Sequence, residues 1–379
     1  MILASYSFEY CISKCLHIKS TYKFAKLRKG GNMKKLKSIL LLIATLIFAG
    51  CSSVPKAELN PLKQIKQLAD GLFLLEYTGD YWFDNFLAQG GAKTNEELAS
   101  FIGKALENKE WTIPPLDENS KVKITLPKFG CSSIVAKKAN GDAIYGRNYD
   151  WMNDSSVMII HTKPTNGYES ISTSSMEFLG QDRNWKPKRN PAKNEIAIAA
   201  IYVPLDGMNE KGLYIADLVA GDNEKTAQNT GKTAVTTTTA MRLVLDKAAT
   251  VDEAIELLKN HDMNSVIGFA HHFAIADASG KSVAVEWVNN QMYICETKVL
   301  ANFYVTDCPK TGRGLHTPSY GRLERLGNKN NWILDANQIR DGLKSVKGNT
   351  TWSCVYEPGD KKITYYLREN FEKPIIIEF

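Results

Sequence analysis

The chain has 379 residues, of which 44% are hydrophobic and 23% charged, an ordinary globular composition with room for one large domain or two small ones. Its formal charge of +6 is unevenly distributed, because residues 1–50 carry +8 and leave about −2 for the remainder. The basic excess belongs to the N-terminal segment, which excludes an extended nucleic-acid-binding surface, and we predict no nucleic-acid partner.

The N-terminal segment contains a targeting signal. Met33–Lys37 is positively charged, and Ile39–Phe48 is an almost wholly apolar run that is too short to span a bilayer. The tetrapeptide Phe48-Ala49-Gly50-Cys51 resembles a lipobox, which predicts cleavage before Cys51 and lipidation of its thiol. The alternative is an ordinary hydrophobic anchor.

We therefore interpret residues 33–50 as a lipoprotein signal peptide and residues 1–32 as an upstream mis-start that is not native. Either form of anchor places the rest of the chain outside the cytoplasm. We expect an extracytoplasmic lipoprotein of the bacterial cell envelope, held at the membrane by its lipid.

Residues 51–130 form the next segment, which we interpret as a tether followed by a pro-segment or α-chain. Thr94-Asn95-Glu96-Glu97 is a capping box, and it predicts a helix that continues to about Leu106. The segment also holds an aromatic cluster that either packs in the core, the interpretation we favour, or covers a functional site before activation. Its members are Tyr77, Tyr81, Trp82, Phe83 and Phe86.

A predicted hairpin follows this segment. Asn140-Gly141 between two strand-like runs indicates a two-residue turn, which pairs Ala139 with Asp142 and brings Cys131 opposite Asp150. A thiol, a guanidinium from Arg147 and a carboxylate would then meet at one strand end. This is a candidate nucleophile site, and the alternative is a buried cysteine beside a surface ion pair.

The two charged residues of this group differ in parity along the strand. A regular strand directs the side chains of Arg147 and Asp150 to opposite faces. Both can reach the sulfur of Cys131 only if the strand bends, ends near Asn148 or carries a bulge.

Strands and helices alternate in blocks along the rest of the chain. We predict two sheets with helices outside them, an α+β fold. The predicted strands are 157–161, 196–203 and 213–218; helices cover 236–249 and 250–259; hairpins turn at 277–280 and 357–360.

Cysteine and histidine spacing gives no metal site. His271 and His272 are adjacent in a strand, so they face opposite ways and cannot easily share one ion. Cys295, Cys308 and Cys354 allow one disulfide or free thiols. No Gly-x-Ser-x-Gly elbow is present, and we predict no metal and no cofactor.

Several segments together resemble the choloylglycine hydrolase family, which includes bile salt hydrolases and penicillin V acylases and is related to N-acylethanolamine acid amidase. They occur in the family's order: Cys131 with Gly146–Asp150, Asp206–Leu213, Val299–Asn302, Ser319–Leu323 and Trp352–Tyr356. The resemblance implies an N-terminal-nucleophile hydrolase with a four-layer αββα sandwich, in which residues 131–379 form the catalytic domain.

The resemblance also implies roles for individual residues. Cys131 is the nucleophile, and its α-amine, freed by cleavage after Gly130, is the general base. An α-amine has a pKa of about 8, so it can accept a proton near neutral pH. Arg147 favours the thiolate, Asp150 orients the amine, and Asn302 donates to the oxyanion.

Further residues are implied in supporting roles. Arg322 would support the site electrostatically, and Asn209 and Glu210 would belong to its periphery. Asp307 is a competing alignment for the role of Asn302. Val219 stands where bile salt hydrolases typically carry asparagine, which favours a fatty or aromatic N-acyl amide over bile salts.

We therefore expect a self-processing cysteine amidase that hydrolyses a linear N-acyl amide through a thioester. The long segment before Cys131 resembles that of the acid ceramidase and N-acylethanolamine amidase group. The alternatives are an acyltransferase of the isopenicillin-N type, a bile salt hydrolase or penicillin V acylase, and a non-catalytic surface-binding lipoprotein.

Overall fold

The computed structural model describes residues 65–105, 131–151, 155–187, 195–220, 225–266, 270–306 and 318–379. The predictions for residues 1–32, for the signal peptide 33–50, and for Cys51, Gly130, Asp307 and Cys308 lie outside these ranges. None of the helices in the described ranges is both long enough and apolar enough to cross a membrane.

Strands dominate the described part of the chain. The strands are β1 Ile65–Ala69, β2 Leu72–Thr78, β3 Ser132–Lys137, β4 Ala143–Asp150, β5 Val157–Lys163, β6 Ser170–Ser175, β7 Asp206–Asn209, β8 Tyr214–Val219, β9 Ala234–Thr236, β10 Asp262–Asn264, β11 His271–Ala276, β12 Ser282–Val288, β13 Gln291–Glu296, β14 Val299–Ala301, β15 Thr350–Glu357, β16 Lys362–Leu367 and β17 Ile375–Glu378. The helices are α1 Phe83–Ala88, α2 Asn95–Ala105, α3 Glu195–Ala199, α4 Thr237–Lys247, α5 Val251–Lys259, α6 Pro318–Lys329 and α7 Ala336–Ser345.

These strands form two large sheets. One has nine strands in the order β1-β2-β5-β6-β7-β8-β11-β12-β13, and the other has six in the order β14-β3-β4-β15-β16-β17. Strands β9 and β10 form a separate parallel pair. Neighbours within the large sheets are antiparallel except β2 and β5, which are parallel.

The two large sheets are stacked, with helices outside each. On β8, Ile215 faces a core shared with α4 and α5, while the adjacent Tyr214 faces the layer between the sheets. On β4, Ile144 faces a core shared with α6 and α7, while Tyr145 stacks on Tyr214 at 5.1 Å between ring centroids. The predicted four-layer αββα sandwich is therefore confirmed.

Residues 65–105 are built into this sandwich. Strand β2 pairs with β5 from Leu72↔Val157 to Thr78↔Lys163. The Tyr81 hydroxyl donates to Asp246 at 2.5 Å, and that carboxylate lies 2.9 Å from Arg242. Core packing is confirmed for four of the five aromatic residues, because the outer core beneath α4 contains Tyr77, Tyr81, Phe83 and Phe86. Trp82 is half-buried and does not belong to that core.

Several sequence predictions match the structure closely. Helix α2 is capped by Thr94, whose hydroxyl accepts from the Glu97 amide at 3.2 Å. Helix α4 begins with a complete capping box at Thr236, and α5 is capped by Thr250. Both predicted later hairpins are present as β11–β12 and β15–β16. Cys295 and Cys354 are free thiols.

The predicted strand at 196–203 is wrong. This stretch forms α3 and then a 3₁₀ turn, Ala200–Tyr202, that packs in the outer core. A short, continuous apolar run does not distinguish a buried strand from a buried helix. Here the three alanines of the run favour the helix.

The predicted two-residue turn is also wrong, by one residue. Lys138 and Asp142 close a three-residue loop, in which the Lys138 amide donates to the Asp142 carbonyl at 2.7 Å. Gly141 has φ +91°, the left-handed conformation that such a loop needs at its last position. The β3–β4 register is Ser132↔Asn148, which places Cys131 opposite Tyr149 rather than Asp150.

Candidate active site

Four strand ends meet at one edge of the six-stranded sheet. Cys131 directly precedes β3, and Asn302 directly follows β14, whose Ala301 pairs with Ser132. Asp150 ends β4 and pairs with Thr350 at the start of β15. Antiparallel pairing thus gathers residues from distant parts of the chain around Cys131.

The Cys131 thiol is buried in the apolar layer between the sheets. The residue is 4% exposed, and its Sγ lies 3.8 Å from the Asp150 carbonyl oxygen, which accepts from it. Burial raises the pKa of this thiol above its ordinary value, although the charge of Arg147 opposes the rise. The thiol is therefore protonated at neutral pH, and a base must remove its proton before it can attack.

Arg147 is a fully buried cation beside this thiol. Its Nη2 donates to the Asp217 carbonyl at 2.5 Å, and its guanidinium carbon lies 5.6 Å from the Tyr149 ring centroid. Nε and Nη1 have no hydrogen-bond partner among the described residues. Buried N–H donors rarely stay unpaired, so these two are suited to receive a ligand oxygen.

Asp206 is the counter-ion of Arg147, and sequence reasoning did not assign it a role. Its Oδ2 lies 3.6 Å from Arg147 Nε. The same carboxylate accepts from Trp352 Nε1 and from the Tyr356 hydroxyl, both at 2.8 Å. Two of the segments that carried the family resemblance, those beginning at Asp206 and Trp352, therefore meet here to fix Arg147.

Asp150 presents one free carboxylate oxygen. Its Oδ1 accepts from the Thr350 hydroxyl at 2.5 Å, whereas Oδ2 has no partner within the described residues. Burial raises the pKa of this carboxyl to about 8, against the opposing effects of Thr350 and Arg147. The free oxygen can accept a hydrogen bond from an amine placed beside it.

Strand β4 continues to Asp150 and pairs regularly with β3, and the irregularity near Asp150 lies in the neighbouring strand β15. Strand β15 pairs Thr350 with Asp150 but Trp352 with Tyr149, so Thr351 is an extra residue. The bend, early end or bulge predicted for β4 is therefore not seen. The bulge lies on β15, where it bends that strand and increases the local twist beside Asp150.

We expect the stability of the uncleaved chain to depend on pH through Asp150. Its folded pKa of about 8 exceeds the unfolded value of about 3.9, so the folded chain binds more protons between these values. In an uncleavable Cys131→Ala chain, stability should fall as pH rises from about 4 to about 8, by at most about 1.4 kcal/mol per pH unit. Urea unfolding across this range measures the effect.

The matched control adds Asp150→Asn to Cys131→Ala. Asparagine has a similar shape and does not titrate, so this chain should lose less stability over the same range. Parallel stability curves for the two chains would contradict the assigned carboxyl pKa.

Asn302 is held at the sheet edge by a backbone carbonyl. Its Nδ2 donates to the Val219 carbonyl at 2.8 Å, and its Oδ1 is buried without a partner among the described residues. An amide nitrogen carries two hydrogens, so one remains for a further acceptor. The acceptor is the backbone carbonyl of Val219, so this contact does not require the asparagine that bile salt hydrolases typically carry at that position.

Asp217 is a second residue that the sequence reasoning missed. Its carbonyl holds Arg147, and its carboxylate contacts His271 Nδ1 at 2.9 Å from both oxygens. The sequence does contain a signal for it. Asp217 is the single charged residue in the apolar run of β8, and a buried carboxylate needs a partner.

Three predicted residues lie elsewhere. Arg322 is exposed on α6 and donates to the Ser345 carbonyl at 2.8 Å, so its contacts do not support the predicted electrostatic role. Asn209 is buried, and both its amide nitrogen and its oxygen are used by backbone groups, including the carbonyls of Leu245 and Ala248. This makes it a structural residue of the β7–β8 turn, and Glu210 follows it there.

Residues 131–304 match the family model described as linear amide C–N hydrolases, choloylglycine hydrolase family. The match begins at Cys131 and ends two residues after Asn302, so it includes Cys131, Arg147, Asp150 and Asn302 but not Thr350. No sequence among the curated proteins is significantly similar to the chain.

Solved structures give weaker similarities. Two variants of conjugated bile acid hydrolase from Clostridium perfringens are 17% and 18% identical, with TM-scores of 0.48 and 0.47; they cover 65% and 66% of this chain and 92% of their own. Penicillin V acylase from Agrobacterium tumefaciens is 18% identical, with a TM-score of 0.44, 65% of this chain covered and 84% of its own. The similarity to the choloylglycine hydrolase family, described as linear amide C–N hydrolases, therefore depends on the sequence match over residues 131–304 alone.

Proposed function

We propose that this protein is a self-processing cysteine amidase that hydrolyses a linear N-acyl amide. The observation that carries the proposal is the buried Cys131 thiol at the sheet edge, with the desolvated cation of Arg147 and the free oxygen of Asp150 beside it. None of the contacts described for the thiol involves a histidine, so its own α-amine is the base that the arrangement needs.

Activation would begin with attack of the Cys131 thiol on the carbonyl carbon of Gly130. A C–S bond forms, the C–N bond of that peptide breaks, and the thiol proton passes to the departing nitrogen. The Gly130 acyl group is left as a thioester and the nitrogen of Cys131 as a free amine. Water then hydrolyses the thioester, and the products are a carboxylate at Gly130 and a free thiol at Cys131.

Turnover would repeat this chemistry on a bound amide. The α-amine takes the thiol proton, and the thiolate attacks the acyl carbon to give a tetrahedral intermediate. Asn302 would donate to its oxyanion, and the ammonium group would return a proton to the leaving amine. Water then releases the acid from the Cys131 thioester. Asp150 Oδ2 would orient the amine throughout.

The substrate and the cellular location are inferred from the chain itself. An apolar layer surrounds Cys131, which favours a fatty or aromatic acyl group. The Arg147 N–H groups that have no partner among the described residues would donate to a substrate oxygen. The lipobox-like sequence ending at Cys51 supports an enzyme anchored to the envelope membrane.

Intact mass spectrometry of protein expressed from Met33 tests activation. We expect two fragments that meet at Gly130 and Cys131. A panel of fatty and phenylacetyl amides, supplied with and without a second amine, then tests turnover. Free acid as the sole acyl product supports the hydrolase. Transfer of the acyl group to the added amine would show that the protein is an acyltransferase. An uncut chain that turns over no amide would contradict the proposal in favour of a binding role.

A further inference from the structure

The adjacent histidines of β11 belong to two separate carboxylate pairs. His271 contacts Asp217 on one side of the sheet, whereas His272 Nδ1 lies 3.0 Å from Glu286 Oε1. His272 and Glu286 are directly paired residues of β11 and β12, and both are fully buried. A buried ionisable pair is costly unless its remaining hydrogen-bonding capacity is used, so the other partners of Glu286 are informative.

Those other partners come from one short segment. The Glu286 carboxylate accepts from the amide of Val305 at 2.8 Å, the amide of Thr306 at 2.9 Å and the hydroxyl of Thr306 at 2.6 Å. Burial would raise the pKa of Glu286, but the hydrogen bonds from His272 and Thr306 lower it below its ordinary value. The carboxylate is therefore ionised, and charge-assisted bonds of this kind are stronger than neutral ones.

The segment that Glu286 holds begins with the candidate oxyanion donor. Residues 302–306 leave β14 of the six-stranded sheet and attach to the nine-stranded sheet at three points. Asn302 donates to Val219, the Tyr304 hydroxyl donates to the Trp287 carbonyl at 3.1 Å, and Val305 and Thr306 donate to Glu286. The position of Asn302 relative to Cys131 thus depends on a clasp between the two sheets.

We propose that Glu286, supported by His272, is a positioning residue that keeps the Asn302 amide aligned with the oxyanion of the tetrahedral intermediate. The inference rests on the proposed function, because it needs attack by Cys131 on an acyl carbon. Catalytic donors must lie within hydrogen-bond distance of the developing charge, and a displacement of about 1 Å can cost about 100-fold in rate. The groups that Glu286 binds lie on Val305 and Thr306, three and four positions after Asn302, so loosening them displaces the amide.

Two reagents separate oxyanion stabilisation from thiol reactivity. A β-lactone acylates the mature Cys131 thiol through a tetrahedral intermediate, opening its C–O bond to give a thioester and a hydroxyl group. Iodoacetamide alkylates the same thiol with release of iodide and a proton, and it forms no oxyanion. In Glu286→Gln we expect the lactone rate to fall about 10- to 100-fold while the alkylation rate stays within about twofold.

Steady-state kinetics on an amide substrate should show the same selectivity, with a lower kcat and a nearly unchanged KM. Thr306→Val is the milder variant, because it removes one donor and leaves the carboxylate in place. We expect it to lower the lactone rate about three- to tenfold, so the inference stays testable if Glu286→Gln does not fold.

Asp262→Asn is the matched control. Asp262 is a buried carboxylate that accepts from three backbone amides and one hydroxyl of residues 230–232, a loop outside the candidate site. This variant should lose stability without changing the ratio of the two rates. If Glu286→Gln lowers the rates of lactone acylation and iodoacetamide alkylation equally, this inference is overturned and the proposed function is not. A wild-type protein that iodoacetamide labels but the lactone does not acylate would overturn the proposed function and this inference with it.

Discussion

Replacing Cys131 by alanine is expected to leave the protein as a single uncut chain and to abolish amide turnover. In the proposed mechanism the thiol is the attacking group in both reactions, so one substitution removes both. We expect the rate to fall by at least about four orders of magnitude, the size of loss seen when a covalent nucleophile is deleted. Intact mass spectrometry measures processing, and release of free acid measures turnover.

The control for this experiment is Cys295→Ser. Cys295 is a half-buried free thiol whose sulfur lies 3.2 Å from the Thr306 hydroxyl, and serine can keep that contact. This variant should be cut and active. Circular dichroism should show that the Cys131→Ala chain is folded. An active Cys131→Ala chain would contradict the covalent mechanism.

The second large effect is expected from removing the segment before Cys131. A chain consisting of residues 131–379 alone should fail to fold into a soluble protein. It would leave β5 without its parallel neighbour β2, and it would remove core residues such as Phe73, Leu75 and Phe86. Each such side chain contributes about 1.5–3 kcal/mol, and a domain is stable by only about 5–15 kcal/mol.

The same contacts predict that the segment stays bound after cleavage. The two fragments of the wild-type protein should elute together in size-exclusion chromatography and separate only in denaturant. Co-expression of residues 52–130 as a separate chain should restore a soluble 131–379 fragment. If the 131–379 fragment is folded and active by itself, the segment is dispensable and this prediction is wrong.

The candidate site could be predicted from sequence where its residues are close in the chain. Cys131, Arg147 and Asp150 belong to one hairpin, so local turn and strand signals were enough to bring them together. The exact register was not predictable, because the Asn140-Gly141 pair fits a loop of two or three residues and the choice depends on the packing of the whole sheet.

Partners from distant strands could not be assigned in advance. Asp206, Asp217 and Glu286 are buried carboxylates whose partners lie on other strands, and no local pattern identifies which strand will be adjacent. A single acidic residue in an apolar strand indicates only that some partner exists. Asn209 shows the opposite case, since this polar residue of a family-like segment uses both its amide nitrogen and its oxygen on backbone groups around a turn.

Because β1 and β2 belong to the nine-stranded sheet, cleavage before Cys131 would change the number of molecules that unfolding produces. The precursor unfolds as one molecule, so its Tm is independent of protein concentration. Once the chain is cut, unfolding releases two polypeptides, and mass action makes the Tm rise with concentration. If the proposed cleavage occurs, dilution destabilises the cut protein but not the uncut one, and a lipid anchor on the smaller fragment would retain the larger fragment only while the two stay paired.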